Sequence, residues 1–263
     1  MLAATVLCLG LLACSAPAET PAAAPSPAPD PAPSSAPDPA PSSAPDLTSG
    51  PYRVLVFSRT AGFRHDSIPA GIAAFRALGA TNGFTVTATE DASALTPDNL
   101  ARFRAVVFLS TSGDVLGPDQ QSALEAYVRG GGGWVGVHSA ADTEYGWPFY
   151  GELVGAWFAR HPKVQPVTVR VRDHPATAAL PRSWRITDEP YDFRTRPDAQ
   201  VLAELDETTY TGGGMGADHP IVWSRAVGAG RSFYVGLGHP PALYADPDFR
   251  ALLLGAVRYA AGG

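Results

Sequence analysis

The sequence predicts an α/β protein with a doubly wound, mostly parallel sheet and helices on both faces. From about residue 51 onwards, short apolar runs alternate with segments of helical spacing. Several runs are continuously apolar, which is typical of parallel strands buried on both faces. Glycine and proline residues lie at the boundaries between these segments. The second half is predicted to be richer in strands than the first.

The chain begins with a short apolar segment, residues 1–13, followed by Cys14. The segment is too short to cross a bilayer as a helix and predicts a signal peptide. The ending Leu-Leu-Ala-Cys resembles a bacterial lipobox, so we expect Cys14 to be lipidated. The protein would then be exported and held at the bacterial cell envelope through its lipid anchor only. The alternative is an ordinary signal peptide that contains a cysteine. Signal peptides normally carry a Lys or Arg before the apolar run, and this chain has none there.

Residues 14–50 are built largely from Ala, Pro, Ser and Asp, and residues 31–38 recur as residues 39–46. Such a segment cannot bury enough apolar surface to offset its ordering entropy. It predicts a disordered, semi-rigid tether that spaces the folded domain, residues 51–263, from the membrane. A recognition function for its proline motifs is the alternative.

The first half of the folded region contains four predicted strands, at residues 53–58, 85–89, 105–109 and 134–137. Helical spacing covers residues 68–78 and 118–129. Gly79 is placed where a helix-ending glycine would lie, and Pro118 suits a first helical turn. Four glycines, residues 130–133, end the second helix.

In the second half, strands are predicted at residues 164–171, 200–205, 221–223 and 231–236, and a last helix runs from Asp246 or Pro247 to Tyr259. Ligands of open α/β sheets bind at the carboxyl ends of the strands. The loops expected to carry a site are therefore residues 59–67, 110–117 and 138–148.

Charge and cysteine content exclude several classes of function. Four of the 25 acidic residues and none of the 19 basic residues precede Gly50, which leaves about −2 on the folded region. This balance does not fit a nucleic-acid surface. Cys8 and Cys14 are the only cysteines, so the folded region has no disulfide, thiol nucleophile or cysteine metal site.

Two histidines follow predicted strands of the first half. His65 lies in the loop after the first strand, beside Asp66 and Ser67; these could line a site, or Asp66 or Ser67 could cap the next helix while His65 is solvated. His138 follows an apolar strand at a turn rich in small residues. Class I glutamine amidotransferases and α/β-hydrolases present a nucleophile at such an elbow. Without a thiol the glutaminase reaction has no nucleophile, and the elbow could also be kept for backbone reasons.

Aromatic and acidic side chains cluster after this elbow. Aromatic faces stack on sugars and carboxylates bind hydroxyls, although aromatic residues are also common where helices pack on sheets. The group comprises Asp142, Glu144, Tyr145 and Trp147. Dispersed histidines and carboxylates can also converge on one divalent metal, although no short metal-binding spacing is present. The six histidines are His65, His138, His161, His174, His219 and His239.

Taken together and in order, these segments resemble the ThuA-like (trehalose utilisation) family. The matching segments cover residues 61–68, 136–140, 143–145, 147–151, 161–162, 188–191, 219–221 and 236–239. The resemblance spans essentially the whole domain. It implies a flavodoxin-like sheet, similar to the class I glutamine amidotransferase fold without the catalytic cysteine, and a link to the catabolism of disaccharides or other carbohydrates.

We therefore expect an enzyme, or an enzyme-like protein, that acts on a disaccharide or oxidised sugar. Its proton-transfer or metal-binding residues are predicted to be His138, His65 and Glu189. The predicted substrate-binding residues are Asp66, Asp142, Glu144, Tyr145, Trp147, His161 and His239. The alternatives are a non-catalytic surface module that binds carbohydrate and a hydrolase that uses Ser139, although the G-x-S-x-G pattern is absent.

Overall fold

A computed structural model describes residues 50–263. The predicted signal peptide, Cys14 and the predicted tether up to residue 49 lie outside the described residues. Within the described part of the chain, none of the helices has the length and apolarity needed to cross a membrane.

The described residues form eleven strands and five α-helices, joined by short 3-10 turns. The strands are β1 (Tyr52–Phe57), β2 (Phe84–Thr89), β3 (Ala105–Leu109), β4 (Gly133–Val137), β5 (Phe158–Arg160), β6 (Gln165–Val171), β7 (Ser183–Asp188), β8 (Asp192–Phe193), β9 (Gln200–Leu205), β10 (His219–Val227) and β11 (Gly230–Val235). The helices are α1 (Ile68–Asn82), α2 (Pro97–Leu100), α3 (Pro118–Arg129), α4 (Pro148–Val154) and α5 (Pro247–Ala260).

Nine strands form one sheet in the order β2-β1-β3-β4-β11-β10-β9-β6-β7. The five strands from β2 to β11 run parallel, and the pairings from β11 to β7 are antiparallel. Strands β5 and β8 pair separately. The α/β class with a large sheet built around parallel strands is thus confirmed. Because β7 is four antiparallel steps from β11, the two strands point the same way.

The centre of the sheet is buried on both faces, as the continuous apolar runs predict. Every residue of β3 and β4 is buried. Helices α1 and α5 contact one another as well as the parallel strands, and α3 and α4 contact β11. The loops after β1, β3, β4 and β11 consequently meet at one edge of a rigid sheet.

The first helix is four residues longer than predicted. It ends at Asn82, and Gly83 takes the left-handed cap position with φ 75°. Gly79 lies inside the helix, where an added Cβ would lie 2.5 Å from the carbonyl oxygen of Phe84. The glycine is needed there for close contact between α1 and β2, so its assignment as the helix end was wrong.

Strand β7 was not predicted from the sequence. Its residues alternate between exposed and buried positions, the pattern of a strand with one face covered. Arg185 lies within this short segment, and only its alternate residues are apolar. Strand β7 matters for the site because Asp188 ends it and Glu189 follows it.

Candidate functional site

Three histidines from three separate loops meet at the carboxyl ends of the parallel strands. His65 follows β1, His138 follows β4 and His239 follows β11. The Nε2 atoms of His65 and His138 are 3.1 Å apart, and Nδ1 of His239 lies 3.3 Å from Nε2 of His138. The parallel sheet brings together His65 and His239, whose ring nitrogens lie within 4.8 Å although the residues are 174 positions apart in the chain.

Glu189 brings a carboxylate to these histidines. Its Oε2 atom lies 3.1 Å from Nδ1 of His239 and 3.6 Å from Nε2 of His138. Its Oε1 atom lies 3.0 Å from Nδ1 of His161. We call these five residues, His65, His138, His161, His239 and Glu189, the strand-end cluster.

The strand-end cluster has a buried floor and an open side. His138 is fully buried and His65 is 5% exposed. The side chains of His239 and His161 are 27% and 40% exposed, respectively. A ligand therefore meets His161 and His239 first, with the other two imidazoles beneath them.

His138 has a left-handed backbone, with φ 52°. This conformation is uncommon for residues other than glycine and persists where the surrounding structure enforces it. The residue leaves β4 and enters a short 3-10 turn, and its carbonyl oxygen accepts a hydrogen bond from the Tyr234 hydroxyl. The strained turn directs the imidazole at the strand ends, as an elbow would.

Hydrogen bonds determine the tautomer of His138. Its Nδ1 atom lies 3.2 Å from the carbonyl oxygen of Gly236, which can only accept, so Nδ1 carries the proton. Its Nε2 atom therefore offers a lone pair to the strand-end cluster in the neutral ring. Nδ1 of His65 is 3.3 Å from the hydroxyl of Ser139.

Burial and pairing shift the protonation of the cluster. Burial, with further lowering by His138 and His239, lowers the pKa of His65 to about 3, so its imidazole is neutral. Burial alone would raise the pKa of Glu189, but the neighbouring imidazoles of His138 and His239 outweigh it and lower that pKa to about 2. The hydrogen bond with Glu189 raises the pKa of His239.

Asp188 holds the loop of His239 in place and was not among the predicted site residues. It is fully buried, and its carboxylate accepts hydrogen bonds from the backbone N–H groups of Glu189, Gly238 and His239, at 2.8, 2.8 and 3.0 Å. The bonds tie the end of β7 to the loop after β11. Burial raises the pKa of Asp188. The position of Asp188 directly before the predicted site residue Glu189 is the sequence signal that could have identified it.

Aromatic side chains border the strand-end cluster. The ring of Tyr191 packs on His138, with 4.3 Å between centroids, and on Phe158 at 4.4 Å. The ring of Phe63 lies 4.8 Å from that of His65 and is 66% exposed. Phe63 and Val164 are the exposed large apolar residues of the described chain, and Val164 follows His161 by three residues. Neither Tyr191 nor Phe63 was among the predicted site residues, although both lie in the motifs.

The remaining predicted substrate-binding residues differ in their placement. Asp66 is exposed, and its charge acts on His239. Asp142 accepts a hydrogen bond from the Tyr145 hydroxyl at 2.7 Å, so these two side chains engage each other. The ring of Trp147 packs on Phe149 and Tyr150.

Glu144 is buried, with a left-handed backbone at φ 53°. One carboxylate oxygen accepts hydrogen bonds from the backbone N–H groups of Val115 and Leu116, and the other from the Gln121 side chain. These contacts satisfy the carboxylate within the protein and hold the loop after β3.

A second group of potential metal ligands, Asp192, Glu207 and His219, is engaged in local hydrogen bonds. Nε2 of His219 lies 2.8 Å from the carbonyl oxygen of Tyr191, and its Nδ1 lies 2.8 Å from Glu207. Glu207 also accepts from two backbone N–H groups of residues 215–216, and Asp192 pairs with Arg160. The strand-end cluster is the group that faces solvent through exposed histidines.

The fold and the site define an α/β protein with a histidine-rich centre at the carboxyl ends of its parallel strands. The chain belongs to the ThuA family, since the sequence model of this family, described as trehalose utilisation, matches residues 53–260. Membership indicates a role in trehalose utilisation or, more broadly, in carbohydrate metabolism. No curated protein sequence matches the chain.

Solved structures agree with this membership. A ThuA-like protein from Bacteroides uniformis is 27% identical with a TM-score of 0.68, over 80% of this chain and 92% of that one. A ThuA-like protein from Parabacteroides merdae is 22% identical with the same TM-score, over 80% and 90%. A β-galactosidase from Bacillus circulans is 17% identical with a TM-score of 0.54, over 80% of this chain but 31% of the enzyme, and shows a likeness of fold alone.

Proposed function

We propose that the chain is an enzyme that acts on a carbohydrate, either a disaccharide or an oxidised sugar, at the strand-end cluster. The observation that carries the proposal is the convergence of four imidazoles on one buried carboxylate, at the edge where α/β sheets bind their ligands. Purely structural histidines would not need this arrangement, because backbone groups can satisfy each of them separately.

The burial of the cluster suggests a division of labour. His65, His138 and Glu189 form the catalytic floor, where the lone pair on Nε2 of His138 can accept a proton or hold an ion. His161 and His239 form the side that a substrate would contact. Imidazoles exchange protons near neutral pH, which is what the making or breaking of bonds to sugar oxygens requires.

The rim of the cluster suits a sugar. Phe63 presents an exposed ring beside His65, and an aromatic face can stack on the C–H surface of a pyranose. Asp66 is exposed nearby and can bind hydroxyl groups. In this proposal Asp142 and Tyr145 act as a pair, while Glu144 and Trp147 support the loops rather than touch the substrate.

The parallel half is proposed to share the class I glutamine amidotransferase-like fold, with strands of the second half added to one side. In support, His138 lies at a left-handed elbow after the central strand β4, where that fold would present its thiol. The imidazole in this position cannot form a thioester, so the proposal excludes amide transfer from glutamine.

A hydrolase that uses Ser139 is the second candidate, because the hydroxyl of Ser139 lies 3.3 Å from Nδ1 of His65. A histidine within hydrogen-bond reach is what a serine nucleophile needs. Ser139 is, however, fully buried beneath His65. Substitution of Ser139 by Ala should therefore lower turnover only in part, by disturbing His65, whereas loss of all turnover would favour the serine hydrolase.

The proposed function is tested by incubating the purified chain with trehalose, other disaccharides and their oxidised forms, and separating the products by chromatography. Turnover of at least one sugar is expected, and Phe63→Ala should raise its KM with little change in kcat. Saturable binding without any product would instead identify a non-catalytic carbohydrate-binding module.

We also propose that the enzyme works at the cell envelope, anchored through lipid on Cys14. The support is the Leu-Leu-Ala-Cys sequence before a segment rich in proline and alanine. In a bacterial host, Cys14→Ser should move the protein from the membrane fraction to the soluble fraction, because one acyl-bearing residue is the whole anchor. Immunoblots of the two fractions decide the matter, and a Cys14→Ser protein that stays in the membrane fraction refutes the anchor.

A further inference from the structure

We propose that His65, His138, His239 and Glu189 bind a divalent transition-metal ion, with zinc as its simplest probe. The four side chains come from four separate loops and converge without any cysteine. The inference concerns the same site as the proposed function and deepens it, but metal binding can be measured without any sugar.

The separations between the donor atoms fit ligands around one ion. Atoms bound about 2.0–2.1 Å from zinc in a tetrahedral site lie roughly 3.3 Å from one another. The Nε2 atoms of His65 and His138 are 3.1 Å apart, and Nδ1 of His239 lies 3.3 Å from Nε2 of His138. Oε2 of Glu189 lies 3.1 Å from that Nδ1 atom and 3.6 Å from Nε2 of His138. All four donor atoms lie within 4.8 Å of one another.

Both buried imidazoles have the partners that metal-binding histidines use. Such a histidine donates its other ring N–H to a carbonyl or similar acceptor, which orients the ring. Nδ1–H of His138 donates to the carbonyl oxygen of Gly236, and Nδ1 of His65 faces the hydroxyl of Ser139. With these bonds made, both Nε2 lone pairs face the interior of the strand-end cluster. In this arrangement Ser139 is a positioning residue for His65 and not a nucleophile.

The chemistry of the donors selects the class of ion. Three imidazoles and one carboxylate suit first-row transition metals, whereas calcium and magnesium prefer ligands made only of oxygen. Glu189 is only 6% exposed, and burying its carboxylate charge is costly unless a positive charge neutralises it. A divalent ion supplies that charge.

His161 remains outside this ligand set. Its Nδ1 atom contacts the other oxygen of Glu189, at 3.0 Å, and its side chain is 40% exposed. When bound, the ion could polarise an oxygen of the sugar by accepting it as a fifth ligand. His161 would then be the imidazole left free to exchange a proton with the substrate.

A network of hydrogen bonds without metal is the competing explanation. In that network His65 donates from Nε2 to His138, and His239 donates to Glu189. The two explanations differ in one measurable property, the affinity for an added ion.

The test is a titration of the chelator-treated full chain with Zn²⁺ by calorimetry, with metal content measured by mass spectrometry. One ion per chain is expected, and Co²⁺ should give the visible absorption of a site with nitrogen and oxygen ligands. His239→Gln and Glu189→Gln should each lower the affinity for Zn²⁺ at least about tenfold, by analogy with the loss that a disturbed ligand shell causes. His239 is partly exposed, so its variant should fold; circular dichroism checks this.

Two further variants make the result decisive. His174→Asn is the matched control: His174 lies outside both groups of potential ligands and accepts a bond from the Ala176 N–H, which Asn can also accept. It should bind Zn²⁺ as the unaltered chain does. If His219→Gln abolished zinc binding and His239→Gln did not, the ion would lie at the second group and the proposal would be overturned. A chain that binds no zinc at micromolar concentrations would overturn it too.

The proposed function fails separately from this inference. A chain that binds zinc through the strand-end cluster but turns over no sugar keeps the metal site and loses the enzyme. A chain whose sugar turnover survives exhaustive chelation, with no ion bound, keeps the enzyme and loses the metal site.

Discussion

Replacing His138 by Asn is expected to lower sugar turnover by at least about a hundredfold, the loss typical of removing a group that moves protons or orients the reacting centre. Asn is the chosen substitute because it tolerates the left-handed backbone that His138 adopts, at φ 52°. The strained turn can therefore persist while the imidazole is removed. Initial rates on the sugar identified in the screen measure the effect.

The matched control for this variant is His174→Asn, the same chemical change at a residue that is not part of the strand-end cluster. It should keep its turnover. Urea unfolding should show that the His138→Asn protein is folded under the assay conditions. If that folded protein turned over sugar at an undiminished rate, His138 would be a structural residue and the proposed site would be wrong.

Replacing Asp188 by Ala is expected to destabilise the fold by about 2–4 kcal/mol. Three backbone N–H groups lose their acceptor, and each such group left buried without a partner costs about 1–3 kcal/mol. Relief of the cost of burying the carboxylate offsets part of the loss. The free energy of unfolding in urea is the measurement. Turnover should also fall, because the loop of His239 loses its attachment to β7.

Asp173→Ala is the control for this second variant. The side chain of Asp173 is 83% exposed and pairs with Arg182 at the surface. Surface ion pairs of this kind contribute little, so its unfolding free energy should change by less than about 1 kcal/mol. Equal, small changes in both variants would contradict the role assigned to Asp188.

Much of the fold could be predicted because its centre obeys a simple rule of periodicity. Strands β3 and β4 are continuous apolar runs in which every residue is buried, and the last four residues of β1 are apolar and buried as well. The antiparallel strand β7 carries Arg185 between buried Trp184 and Ile186, and its short alternating pattern is weak against the surrounding polar sequence. The position of Gly79 inside a helix depends on how closely that helix approaches Phe84, which no local pattern records.

The histidines could be selected from the sequence because three of them follow predicted strands, and parallel strands end at a common edge. The sequence does not determine their distances, since the ring nitrogens of His65 and His239 meet across 174 residues of chain. Local composition also does not separate a carboxylate that faces a ligand from one that holds a loop. Glu144 and Glu189 are both acidic residues beside aromatic ones, but Glu144 is occupied by backbone N–H groups.

The place of β11 in the sheet has a consequence for biosynthesis. This strand, Gly230–Val235, is the last of the eleven described strands along the chain, yet it lies between β4 and β10. A nascent chain that stops before Gly230 leaves two unpaired sheet edges, which are prone to pair with other chains. It also lacks His239, so the emerging polypeptide cannot carry a complete set of site residues. Closure of the sheet and completion of the site therefore coincide, once the segment from β11 to His239 has been made.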